Sequence, residues 1–296
     1  MTLDILSLGA GVQSTTVALM SIGGELPKLD HAIFADTGAE PAPVYQHLRW
    51  LQPILEDAGI PVHRVSTGDL TADALDPTHR FASIPLFVKL AKPRHDKRGR
   101  LATVGMIRRQ CTGEYKLKPI LAMQRELAGI APASRPKDVR VRSWQGISWD
   151  ESERMRDPLR AWITNVYPLV DRRMTRYDCL KWLADHKFPR PPRSACRVCP
   201  FRTDHEWRWL RDHAPSDWAE AVAFDHAIRE LRGGARGRTR LVGEPYLHRS
   251  LVPLDEVDLR TPEDAGQGVL FRSCDPFGCT AGPPASFVWL DELEAA

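Results

Sequence analysis

Residues 3–20 read LDILSLGAGVQSTTVALM: a short apolar run, a turn carrying Gly9 and Gly11, and a helical stretch opening on three hydroxyls, Ser14, Thr15 and Thr16. A helix N-terminus leaves backbone N–H groups unpaired and carries partial positive charge. Glycines let that backbone approach a ligand closely. The combination suits an anion, most often a phosphate. It suits equally well an ordinary strand-to-helix turn capped by Ser14, and this stretch alone leaves the two readings level.

The pattern continues in the same sense. A strand over residues 3–8 leads to a helix over 14–22 that stops at Gly23-Gly24. A second strand, 31–35, runs into Asp36-Thr37-Gly38, and a helix over 44–58 carries Pro53 as a kink and ends at Gly59. IPVHRV, residues 60–65, is a third strand. The order βαβαβ calls for parallel strands with helical crossovers. Ligands of such sheets bind at the carboxyl ends of the strands, where both LGAGVQST and ADTG fall, so both motifs are expected to face one pocket.

The segment 89–109 is different. Its KPRHDKRGR run holds five Lys or Arg against one Asp and reads as a mobile loop, either a solvated face or a clamp for a polyanion. VRVRSWQGISWDESERM resumes as a strand followed by an acidic turn with Asp150, Glu151 and Glu153. After VYPLVD the composition shifts, dividing the chain into an α/β domain, 1–170, and a mostly helical region, 171–296. Helices are expected over 175–187, 204–213 and 216–232. In the first of them Leu180, Leu183 and Ala184 share a face, and Cys179 reads as a small core residue. RGGARGRTR is a loop, and the Gly- and Pro-rich tail, 261–285, carries SCDPFGC.

Net charge, 41 − 38 = +3 over 296 residues, is too small to imply nucleic-acid binding by itself. No apolar run approaches the roughly 20 residues that span a bilayer, so no membrane partner is expected. Asp4 stands where a secretion signal carries cations, giving a cytoplasmic reading.

Six cysteines are present: Cys111, Cys179, Cys196, Cys199, Cys274 and Cys279. Clustered cysteines in a cytosolic protein of this size are more often metal ligands or redox groups than disulfides. ACRVCP spaces Cys196 and Cys199 to converge on one metal, a spacing that also serves thiol–disulfide exchange, and Pro200 matches cluster-binding runs that end Cys-Pro. Arg108, Arg109, Lys116 and Lys118 surround Cys111 and favour its thiolate. Two metal sites compete: an iron–sulfur cluster on Cys111, Cys196, Cys199 and one tail cysteine, or a structural zinc on Cys196, Cys199, Cys274 and Cys279. Spacing places zinc slightly ahead, with unbound structural thiols third.

Taken together, GAGVQS, FADTGAE, CTGEYKLKP, GISWDESERM and YPLVD followed by CRVCPFR resemble the PP-loop superfamily of adenine-nucleotide enzymes. The resemblance is narrowest to its phosphoadenosine-phosphosulfate reductase-like branch, which also holds the DNA phosphorothioation sulfurtransferases, and it runs in order along nearly the whole chain. It implies a doubly wound HUP-type, Rossmann-like α/β fold with a C-terminal metal-binding cysteine cluster. The nucleotide-binding set it implies is Ser7, Gly9, Ala10, Gly11, Gln13, Ser14, Thr15, Asp36, Thr37 and Gly38. It shifts the metal reading to a [4Fe–4S] cluster on Cys111, Cys196, Cys199 and Cys274, with Cys279 as the mobile catalytic thiol; the tail SCDPFGC is similar to that of phage-borne relatives, and the roles of its two cysteines remain interchangeable. The loop departs from the family at Gly9, Ala10 and Gln13, which stand for Ser, Gly and Asp. A neutral Gln is a weaker Mg2+ ligand than Asp.

Three functions are compatible. The first is an ATP-dependent adenylating sulfurtransferase in which Asp36 positions Mg2+ or the nucleotide, and Arg94, Lys97, Arg98 and Arg100 suit a nucleic-acid substrate. A sulfur-donor protein is then a partner. The second is a sulfonucleotide reductase served by a thiol reductant such as thioredoxin. The third is a non-catalytic, zinc-stabilised nucleotide or nucleic-acid binder.

Overall fold

A computed structural model describes residues 2–76, 78–79, 84–96, 99–230 and 243–260 and, for the backbone, 288–290. The chain forms two compact units, each assembled from separate segments: residues 1–36, 42–67 and 115–194 in one, and 37–41, 68–114 and 195–296 in the other. The sequence reading draws a single boundary after residue 170.

The first unit is built on a five-stranded sheet of β1 (Leu3–Ser7), β2 (His31–Ala35), β3 (Val62–Val65), β6 (Val141–Gln145) and β7 (Ile163–Val166). All neighbours are parallel, in the order β3-β2-β1-β6-β7. Alternation along the strands sends side chains to two faces. Leu6, Phe34 and Trp144 join one apolar cluster with residues of α1 (Val12–Ile22), α2 (Ala42–Asp57) and α6 (Arg176–Asp185). Ile5, Ile33, Val141 and Ile163 join another, against which Ile120, Leu121 and Met123 of α4 (Lys118–Leu127) pack. Helices cover both faces, as parallel sheets require. This is the Rossmann-like α/β arrangement. Cys179 of α6 is 0% exposed, and burial pushes its thiol up to about 12, as a core residue should behave.

The second unit holds α3 (Leu70–Leu75), α7 (Asp204–His213), α8 (Pro215–Glu230) and a sheet in the order β8-β4-β5-β9. Here β4 (Phe87–His95) pairs antiparallel with β5 (Leu101–Ile107) and with β8 (Gly243–Tyr246), and β9 (Val288–Leu290) runs parallel to β5. The mobile loop expected over 89–109 is therefore corrected to a β-hairpin. Phe87, Val88, Leu90, Ala102 and Met106 are buried and anchor its base. The charged residues crowd the far end, where Asp96 accepts from the Arg100 N–H at 2.8 Å and Gly99 takes φ +70s geometry that favours glycine (φ 74°). Arg94 lies on β4 and Arg100 pairs with Asp96, whereas Lys97 and Arg98 lie outside the described residues. The RGGARGRTR loop and the SCDPFGC tail, with Cys274 and Cys279, also lie outside them. Among the described residues no helix is long and apolar enough to cross a membrane.

Candidate functional site

The sheet order makes β1 central, with the chain moving to β2 and β3 on one side and returning to β6 and β7 on the other. The point where an open α/β sheet reverses direction leaves a crevice at the strand ends. The loops after β1 and β6 meet there: a Cβ on Gly146 would lie 2.7 Å from the Ser14 backbone nitrogen. Only glycine fits that approach.

Within the loop, Ala10 takes a left-handed conformation, φ 51°. Gly11 is the N-cap of α1 with extended backbone and no side-chain cap, so the helix starts two residues before the sequence reading and Ser14 is inside its first turn. The Ser14 hydroxyl turns back, accepting from the N–H of Gly9 at 3.2 Å and of Gly11 at 3.4 Å. The other hydroxyls go elsewhere. Thr15, 0% exposed, bonds His47 of α2 at 2.9 Å, and Thr16 donates to the Val12 carbonyl at 2.9 Å. The Thr15 side chain thus joins α1 to α2. Ser194 lies against the glycines: Cβ atoms on Gly9 and Gly11 would come within 3.4 Å of its Oγ and 3.0 Å of its Cβ. Ser7, at the end of β1, accepts from Gln145 at 3.2 Å.

Gln13 bridges an acid and a base. Its side-chain N–H groups donate to Glu151 at 3.1 Å and Ser148 at 3.4 Å, and its carbonyl accepts from Arg176 at 3.0 Å. An amide can join an acid to a base because it carries both a donor and an acceptor; an Asp here would set a second carboxylate against Glu151. Asp36, at the end of β2, accepts from the Tyr45 hydroxyl at 2.7 Å and from Arg64, whose Nε lies 2.8 Å away.

Thr37 and Gly38 belong to the second unit, in the surroundings of the C-x-x-C turn. The Thr37 hydroxyl lies 3.5 Å from Cys196 Sγ and 3.4 Å from Glu40, and Cys196 Sγ is 3.7 Å from the same carboxylate. Gly38, φ 70°, would place a Cβ 2.6 Å from Asp69. The Cys199 N–H donates to the Cys196 carbonyl at 3.1 Å, closing the turn between them. Beneath it Arg202, 4% exposed, donates to the carbonyls of Ala195 at 2.7 Å and Cys196 at 3.1 Å. Burial lowers the Arg202 pKa, opposed by the charges of Cys199, Cys196, Glu40 and Asp217. A buried cation beside Cys196 and Cys199 fits a thiolate-held group of net negative charge, which both an iron–sulfur cluster and a four-thiolate zinc are. Arg109, two residues before Cys111, lies over the ring of Phe201, two residues after Cys199, at 5.8 Å. That contact brings the two cysteine-bearing segments alongside each other. Among the described residues no three His, Cys, Asp or Glu side chains are grouped to hold a metal ion.

Sequence reasoning passed over Arg202, Glu40, Ser194 and Arg176. The first two lie inside the quoted motifs CRVCPFR and FADTGAE; nothing near Ser194 or Arg176 in the chain marks them, since they reach the loop only through folding. No protein-family model matches the chain, and no curated protein matches it. The resemblance to the PP-loop superfamily rests on the motifs themselves.

Proposed function

We propose that this chain is an adenine-nucleotide-dependent enzyme of sulfur chemistry, of the PP-loop type, acting as an ATP-dependent adenylating sulfurtransferase. The observation that carries this reading is the meeting of the glycine loop with Gly146 at the reversal point of a parallel sheet. That is where α/β proteins take nucleotides. The N–H groups of Gly9 and Gly11 rest on a hydroxyl in the free protein, an acceptor that a phosphate oxygen outcompetes because charged hydrogen bonds are stronger. Asp36, fixed by Arg64 and Tyr45, orients the nucleotide. Attack of a substrate oxygen on the α-phosphorus releases pyrophosphate and converts that oxygen into an AMP leaving group, which a sulfur nucleophile displaces. Cys196 and Cys199, with Cys111 and Cys274, would hold a [4Fe–4S] cluster, which when bound supplies iron with affinity for sulfur. Arg202 holds the turn that presents the first two. Cys279, loaded as a persulfide by a sulfur-donor protein, delivers that nucleophile: its outer sulfur displaces AMP, and a thiol reductant cleaves the resulting disulfide to free the thiolated product and the Cys279 thiol.

The bonds of Gln13 favour a second reading, a sulfonucleotide reductase, because the loop presents an amide where ATP-splitting relatives present a metal-binding acid. There a tail thiolate attacks the sulfur of adenylyl sulfate or its 3′-phosphorylated form, releasing the nucleotide and leaving an enzyme thiosulfonate that a thiol reductant cleaves to sulfite. Anaerobically prepared protein separates the two. Pyrophosphate from ATP supports the first, and sulfite from a sulfonucleotide plus dithiol supports the second. Absence of binding by ATP, AMP and both sulfonucleotides retires both, leaving a zinc-stabilised binding protein.

A further inference from the structure

We infer that Arg176, aimed by Gln13, is the residue that compensates the charge of the nucleotide's α-phosphate, so that nucleotide binding at this loop is independent of divalent cations. The inference rests on the nucleotide-binding reading above and specifies how the phosphate is held.

The charges around the loop argue for it. Mg2+ keeps most of its waters and is bound through one or two carboxylates. Glu151 and Asp36 are both engaged by cations or amides. Glu151 pairs with Arg154 at 2.7 Å and accepts from Gln13 at 3.1 Å, and Asp36 pairs with Arg64. Asp150 accepts from the Arg176 backbone N–H at 3.0 Å and so fixes the start of α6. The side chain that departs from the acid of the family pattern is Gln13, 9% exposed. Its amide orientation is set on both sides: only the carbonyl can accept from Arg176, and only the N–H groups can donate to Glu151. A guanidinium is thereby held within one side chain of the first turn of α1, where the helix already favours negative charge. Guanidinium binds phosphate through paired hydrogen bonds in a fixed plane. The cluster thus places a cation from the protein where a carboxylate would have recruited one from solution.

The probe is AMP, which carries the α-phosphate common to both enzymatic readings, with ATP alongside. Affinities are measured by calorimetry on the full chain in excess Mg2+ and again in excess EDTA. Wild type is expected to bind AMP and ATP with dissociation constants that agree within about twofold between the two conditions, since no cation takes part. Arg176→Gln is expected to weaken AMP about tenfold or more, the scale of a lost charged hydrogen bond, and Arg176→Lys to recover part of that loss as a point charge. Gln13→Asp carries a readout that a purely structural role would not move: its nucleotide affinity becomes dependent on Mg2+, and this variant serves if Arg176→Gln fails to fold. Tighter binding of wild type in Mg2+ by about tenfold or more overturns the inference and leaves the nucleotide reading standing. So does an Arg176→Gln protein that is folded and binds AMP as wild type does. Failure of wild type to bind any adenine nucleotide in either condition overturns the inference and the reading together.

Discussion

The glycine loop and the C-x-x-C turn are both short irregular segments ahead of a helix, and they are held by opposite means. The loop's amides rest on the Ser14 hydroxyl through bonds of 3.2 and 3.4 Å, at the long end for a hydrogen bond and between neutral groups. The turn is fastened by a buried guanidinium at 2.7 Å from a carbonyl oxygen, a charge-assisted bond that water does not screen. Under the proposed function, a segment that exchanges its partner for a ligand is tied with weak, replaceable bonds, and a segment whose thiols keep one geometry is tied to a buried ion.

That contrast can be broken most forcefully at Arg202. Arg202→Met leaves Glu40 and Asp217 without the cation that offsets them, and a cost of about 3–5 kcal/mol is expected, read as a shift in the denaturant midpoint. A loss below about 1 kcal/mol, the scale of an exposed ion pair, would remove the distinction between the two segments. Gly146→Ala comes next. Its Cβ would meet backbone atoms of Ser14 and Gln13, which cannot swing aside, so overpacking of about 1–3 kcal/mol is expected together with weaker AMP binding in calorimetry. Thr15→Val sharpens the loop side. It removes one buried hydrogen bond to His47, about 1 kcal/mol, and should leave nucleotide affinity unchanged; a change in affinity would restore Thr15 to the phosphate-holding set.

The same pair supplies a pH test of smaller size. Burial pushes the His47 imidazole down to about 4 from its ordinary 6.5. Between those values the unfolded chain binds a proton that the folded one refuses, so stability rises with pH across this window. It is complete above about 6.5 and is lost as pH falls toward 4. His47→Gln, compared with wild type by unfolding at pH 7 and pH 4.5, should show a shallower acid loss.

The parallel βαβ order was legible because apolar periodicity and glycine punctuation are local signals. They located β1, β2, α1 and α7 to within two residues of their observed ends. The hairpin of β4 and β5 was not legible, because the charges of KPRHDKRGR mask the buried Phe87, Val88 and Met106 on either side. Of the candidate site, the loop, Asp36 and the C-x-x-C could be picked out by residue type and spacing. The assignment of Thr15 could not, since a hydroxyl in the first turn of a helix points to the loop or to the neighbouring helix according to what packs beside it.

The chain alone therefore determined the elements and their chemistry: a glycine turn between strand and helix, an acid at the next strand end, and two thiols three residues apart. Folding decided the partners. Arg176 reaches Gln13 from 163 residues away, and Glu151 from 138. Whether a loop amide serves as a metal ligand or as a bridge between an acid and a base depends on charges that only the assembled fold brings within 3 Å or so.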